Sequence, residues 1–186
     1  MAGSGLIPML RRFALGILLG ACPLLALGDN AITEYEVKAA YLFNFAKYLE
    51  WPVDAFASRE APLTLCLSGR DPFGGALAPY ERRMVQGHEF RVRRGVGLDD
   101  VRGCHMLFLA ETEEPHVQQF LRAVARQPIV TVSDIRGFIR GGGTIGLVDD
   151  EQRIQFEVNL ASAERAGVRV NSQLLRIARN TREKAQ

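Results

Sequence analysis

The chain has 186 residues, 47% hydrophobic and 24% charged, which suits one globular domain with a substantial core. Its 23 basic residues exceed its 21 acidic ones by two, and Arg11 and Arg12 in the acid-free stretch 1–28 account for that excess. The remainder is balanced at zero, which excludes a global pull on nucleic acid or acidic lipid. Residues 1–28 read as an export signal: Arg11-Arg12 is the positive region and "FALGILLGACPLLALG" is apolar but short for a transmembrane helix. Ala26 and Gly28 put small residues where signal peptidase requires them, so cleavage after Gly28 is the leading expectation. Cys22 in "LLGAC" keeps open lipid attachment at that residue, and an uncleaved anchor is the third alternative. All three place the folded part outside the cytoplasm.

"EYEVKAAYLFNFAKYLEWP" (34–52) has helical period, with Val37, Tyr41, Leu42, Phe45, Ala46, Tyr48 and Leu49 on one broad face. Glu36, Asn44, Lys47 and Glu50 share the opposite arc, Thr33 or Asn30 is available as the cap, and Pro52 ends the helix. Five charged residues in this stretch argue against a membrane span. Phe43 projects into the polar arc, which marks it as a candidate partner contact. Next come a strand at 61–69, a turn and short helix at 71–83, and an alternating strand at 88–95. "CHMLFLAE" (104–111) is the near-continuous apolar run of a central parallel strand. An amphipathic helix follows at 114–127, then a buried strand at 128–134 and a short helix through Phe138 and Ile139. Residues 143–159 read as two strands around an Asp149-Asp150 turn, and 159–167 and 171–184 as helices, the second capped by Asn171 or Ser172. The alternation predicts a single α/β domain over 29–186, with a mainly parallel sheet flanked by helices and an antiparallel C-terminal hairpin.

In parallel sheets, ligand sites gather beyond the carboxyl ends of strands. Two loops lie there, "SGRDPFG" (68–74) and "SDIRG" (133–137), so Ser68, Arg70, Asp71, Ser133 and Asp134 are candidates for a small polar ligand. The same residue types serve equally as caps: Asp71-Pro72 is a helix-start signal and Asp134 a natural N-cap. "RGGGT" (140–144) lacks the Lys-Ser/Thr ending of a P-loop and reads as a turn into a strand. The basic stretch 81–95 has no aromatic stacking platform and reads as a solvated strand face. No nucleophile elbow or H-E-x-x-H marks a catalytic or metal site, the adjacent Cys104 and His105 point to opposite faces of a strand, and no cofactor motif is present. In "RIQFEVN" (153–159), alternation sends Ile154, Phe156 and Val158 to the core, and Gln155 and an exposed Glu157 to the other face. That face is the candidate partner surface. After export, Cys66 and Cys104 are an even number of cysteines in an oxidising compartment; a disulfide and two buried thiols both remain open, whereas metal-ligand spacing is lacking.

Four stretches in order carry a resemblance: "YEVKAAYLFNFAKYLEWP" (35–52), "LTLCLSGRDPFG" (63–74), "PIVTVSDIRGFIRGGGTIGLV" (128–148) and "RIQFEVNLASAERAGVRVNSQLLRIAR" (153–179). The chain resembles the YfiR-like family of bacterial periplasmic regulators. The resemblance implies a small exported α/β protein, often a homodimer, with no catalytic residues. It implies as partners the periplasmic domain of an inner-membrane diguanylate cyclase, which such a protein represses, and an OmpA-like outer-membrane lipoprotein that lifts the repression. Cys66 and Cys104 match one cysteine pair of the family, which implies their disulfide. The second pair that members carry near the Gly-rich turn is missing, because residues 139–152 hold no cysteine. A small-ligand-binding sensor that acts on another membrane receptor is the competing expectation.

Overall fold

The computed structural model describes residues 32–150 and 153–182. The expected export signal, its cleavage after Gly28 and the alternative processing at Cys22 lie outside the described residues. No described helix is long and apolar enough to cross a membrane.

Helix α1 spans Glu34–Tyr48. A capping box starts it: the Thr33 hydroxyl accepts from the Glu36 N–H, and the Glu36 carboxylate accepts from the Thr33 N–H. The Thr33 N–H and the Thr33 hydroxyl both donate to the Glu36 carboxylate and hold it below its ordinary pKa. The helix ends earlier than Pro52 suggests. Gln86, at the tip of a distant hairpin, donates its side-chain amide to the carbonyls of Ala46 and Leu49, both at 2.7 Å. The chain then turns extended as β1 (Leu49–Glu50), which pairs antiparallel with β9 (Arg169–Val170).

Phe43 corrects the expectation of an outward contact. It is 2% exposed, stacked on Tyr80 at 5.0 Å and edge-on to Phe90 at 5.3 Å. The segment after β2 (Leu63–Ser68), a 3-10 turn at Gly74–Leu77 followed by Tyr80, covers the arc of α1 that the helix's own pattern leaves polar. Phe43 therefore belongs to the core rather than to a partner surface.

Ten strands are present among the described residues. Besides β1, β2 and β9 they are β3 (Met84–Val85), β4 (His88–Arg93), β5 (Met106–Leu109), β6 (Val130–Ser133), β7 (Ile145–Asp150), β8 (Arg153–Asn159) and β10 (Asn180–Arg182). Eight form one sheet in the order β10-β8-β7-β6-β5-β2-β4-β3. The run β7-β6-β5-β2-β4 is parallel, β7 and β8 form the antiparallel hairpin, and β10 lies parallel to β8. Every position of β2, β5 and β6 is buried, because helices or loops cover both faces of the centre. The expected α/β fold with a mainly parallel sheet and a C-terminal hairpin is what forms.

Alternation divides each central strand between two apolar layers. Leu63, Leu65 and Leu67 meet α1 in one layer, with Phe108, Val132 and Phe156. Cys66, Leu107 and Leu109 point into the other, with Phe120 and Val124 of helix α2 (Val117–Val124). Cys66 and Cys104 are disulfide-bonded inside this second layer, with Cα atoms 5.7 Å apart.

Three boundaries differ from the sequence reading. Asp149 and Asp150 are not the hairpin turn; they pair with Ile154 and Arg153 as the last rungs of the ladder. Residues around Phe138 and Ile139 form turns rather than a helix, although both side chains are buried. Helices α3 (Leu160–Arg165) and α4 (Ser172–Ile177) are short, and the expected helix through 184 stops at Ile177. The unpaired edge of β8 captures the chain instead: the Arg179 N–H donates to the Phe156 carbonyl and β10 follows.

Candidate functional site

The five strand-end candidates do not converge. Strand β5 separates the ends of β2 and β6, and the two loops open onto different hollows. Ser133 is fully buried; its hydroxyl donates to the Leu109 carbonyl at 2.7 Å and accepts from the Ile135 N–H at 3.0 Å. It closes the turn after β6. Asp134 accepts from the Lys38 ammonium at 2.5 Å and from the Tyr35 hydroxyl at 3.2 Å, and Lys38 also pairs with Glu34. Burial pulls the Lys38 pKa down, but the bonds to Asp134 and Glu34 more than offset that and hold it above its ordinary value. Burial, then the Asp134 charge, raises the Tyr35 hydroxyl. Asp134 is thus committed to anchoring α1 onto the end of β6.

Asp71 is committed as well. One carboxylate oxygen accepts from the Phe73 N–H at 2.8 Å, and the other takes the Arg94 guanidinium at 3.0 Å. Arg94 also holds Glu81 at 2.9 Å, Arg91 reaches Glu89 at 3.6 Å, and Arg83 lies over the Phe43 ring. The basic stretch 81–95 is therefore largely tied to neighbours. Arg70 is exposed, and its backbone N–H donates to the Thr112 hydroxyl. Ser68 differs from the other four. It is 2% exposed, its hydroxyl has no partner among the described residues, and it lines a cavity of about 400 Å³.

Glu157 sits on the α2 side of the sheet as the alternation predicts, but it is half-buried rather than exposed. Its neighbour across the hairpin is Gly146, where the Ile139 side chain packs into the space a Cβ would need. Glu157 lies in a cleft of about 770 Å³ whose walls include Arg136, Arg140, Arg179 and Thr181. Arg179 is paired with Asp150 at 3.2 Å. Arg136, Arg140 and Glu157 have no ion pair among the described residues. Gln155 is half-buried on the same face, one rung further along, and does not line the cleft. The Gly-rich turn has a packing role: a Cβ at Gly143 would collide with the ring of Phe138, which lines the cleft.

One group escaped the sequence reading. His105 is buried beneath Phe56, whose ring stacks on it at 4.4 Å and on His88 at 3.8 Å. Its Nδ1 accepts from the Thr64 N–H at 3.1 Å, which puts the proton of the neutral ring on Nε2, a buried atom without a hydrogen-bond partner. Burial, with His88 adding to it, pushes the His105 pKa below its ordinary value. Trp51 donates its indole N–H to the His105 carbonyl at 3.2 Å, so the "WP" after α1 fastens the helix exit to β5. The signal available in sequence was an isolated histidine beside a central strand, which is not specific. No group of three His, Cys, Asp or Glu that would hold a metal occurs among the described residues.

The fold and its hollows define a small α/β domain with two recesses, a sheet-face cleft around Glu157 and a strand-end cavity at Ser68. Residues 35–179 match the YfiR/HmsC-like family, and the chain belongs to that family. The family is regulatory rather than catalytic and points to periplasmic control of cyclic-di-GMP signalling. The solved structure of a conserved domain protein from Vibrio cholerae shares the fold, with a TM-score of 0.54 at 10% identity over 81% of this chain. The match spans 60% of the Vibrio chain.

Proposed function

We propose that this protein is a periplasmic repressor of a membrane-bound diguanylate cyclase, acting by protein–protein contact with the cyclase's periplasmic domain. Family membership over residues 35–179 is the observation that carries this reading. The Glu157 cleft supplies the candidate contact surface: a half-buried carboxylate and two arginines, Arg136 and Arg140, without ion-pair partners among the described residues. Groups of this kind form charge-assisted hydrogen bonds to a partner with little rearrangement of the domain itself. An OmpA-like outer-membrane lipoprotein that competes for the same surface would relieve repression, and a homodimer would present two such surfaces.

The protein needs no chemistry of its own for this role. Control comes from differential affinity: a repressor must bind the inactive state of the cyclase more tightly than the active one. Tenfold repression takes about 1.4 kcal/mol of such preference. The test is genetic. Deleting the gene raises cellular cyclic-di-GMP and thickens biofilm, and deleting the cyclase as well abolishes the rise. An unchanged level in the single deletion, with both proteins expressed, refutes the reading.

A further inference from the structure

The cavity at Ser68 has the position and composition of a ligand site that the partner reading does not use. Its place follows from topology. The connection leaving β2 runs to β4 on one side of the sheet, whereas the connection leaving β5 runs through α2 to β6 on the other. The adjacent strands β2 and β5 therefore flank a topological switch point, where the loops part and leave a crevice beyond the carboxyl ends. Ser68 is the last residue of β2, Gly95–Leu98 follow β4, and Glu113 and His116 follow β5; all of them line the cavity.

The lining selects the chemistry. Ser68 is 2% exposed and its hydroxyl has no protein partner among the described residues. The hydroxyl faces the cavity, where it can exchange a water for a hydrogen bond to a ligand. Glu113 packs directly over the neighbouring Gly69, where an added Cβ would lie 3.0 Å from the Glu113 Cγ. The Glu113 side chain is 21% exposed, and its carboxylate meets the His116 Nδ1 at 3.3 Å. Val96 and Phe120 give a buried apolar wall. Neither lysine nor arginine lines the cavity. His116 is the one basic side chain in the lining and it already meets Glu113, whose carboxylate disfavours phosphates and carboxylates. A volume of about 400 Å³ lies in the lower range of small-molecule sites.

We infer that this cavity binds a small primary amine with a hydroxyl group and an apolar body: the ammonium on Glu113, the hydroxyl on Ser68, and the body against Val96 and Phe120. The site does not depend on the repressor reading, because its test needs neither cyclase nor lipoprotein.

The probe is leucinol, an eight-heavy-atom amino alcohol, titrated into the purified mature protein labelled with nitrogen-15. Saturable amide shifts are expected at Gly69, Gly97 and Gln119, with a dissociation constant of about 10 mM or tighter, as modest ligand efficiency gives a molecule this small. The matched 2-hydroxy-4-methylpentanoate and the amine-free 4-methylpentan-1-ol should bind at least tenfold more weakly. Ser68→Ala and Glu113→Gln should each weaken leucinol tenfold or more, while Arg70→Gln, outside the cavity, should not. Glu113 is on a surface turn, so Glu113→Gln keeps the fold even if Ser68→Ala does not, and melting curves check both. Absence of saturable shifts, equal binding of the carboxylate, or wild-type affinity in a folded Ser68→Ala or Glu113→Gln variant overturns the inference.

Discussion

Reducing the Cys66–Cys104 disulfide should lower stability by an amount set mainly by its loop. The two cysteines are 38 residues apart. In the chain-entropy model, a cross-link over that separation removes about 13 cal/mol/K from the unfolded ensemble, or about 4 kcal/mol at 25 °C. A domain of this size unfolds with an entropy of about 0.3 kcal/mol/K, so the midpoint should fall by about 12 °C. Both cysteines lie in a packed layer with Val96, Val101 and Leu107, so a Cys66→Ala/Cys104→Ala variant also loses sulfur packing and should fall slightly further than the reduced wild type. The assay is thermal unfolding with and without reductant, next to urea unfolding of the same samples. Reduction lets the unfolded chain expand, so the urea m-value should rise as the midpoint falls. A midpoint shift under about 3 °C would refute the entropic account. Two reactive thiols in unfolded, non-reduced protein would refute the bridge itself.

Lys38→Met should cost about 3 kcal/mol, because it strands Asp134 partly buried beside Tyr35; adding Asp134→Asn should recover most of it in urea unfolding. If the single variant loses less than about 1 kcal/mol, the pair is not coupled as described. His105 binds its proton more weakly folded than unfolded, so the unfolded state takes up more protons on acidification. Its contribution to stability is present above the unfolded pKa of about 6.5 and is lost as pH falls from there through the depressed folded value. Protonation also removes the Nδ1 acceptor used by Thr64. Melting temperatures from pH 8 to pH 5 should fall more steeply in wild type than in His105→Leu, whose remaining His88 and His116 are common to both; equal slopes would count against the assignment. Glu157→Arg should impair capture by the membrane partner in a pull-down while changing stability by about 0.5 kcal/mol or less, since its carboxylate has no ion pair among the described residues. Unaltered capture would remove Glu157 from the contact surface.

The local code of this chain was readable wherever one element's own periodicity decides the outcome. The capping box at Thr33 and Glu36, the doubly buried runs of β2 and β5, and the alternation that sends Phe156 inward and Glu157 to the opposite face all follow from spacing and residue type. Four ordered stretches also sufficed to mark the family. What only the tertiary structure decided are contacts between elements far apart in sequence. Phe43 is core because Tyr80 and Phe90 arrive to cover it, and at the end of α1 Gln86 takes the carbonyls of Ala46 in the helix and Leu49 just beyond it. The C-terminal segment becomes β10 rather than more helix because the edge of β8 offers hydrogen bonds that its own propensity does not outweigh. The same holds for the recesses: Asp134 and Asp71 are consumed by Lys38 and Arg94, while Ser68 is left with an unbonded hydroxyl facing a cavity. A polar residue at a strand end is legible in sequence; whether a partner reaches it is settled by the geometry that brings, or fails to bring, a distant side chain within hydrogen-bond distance.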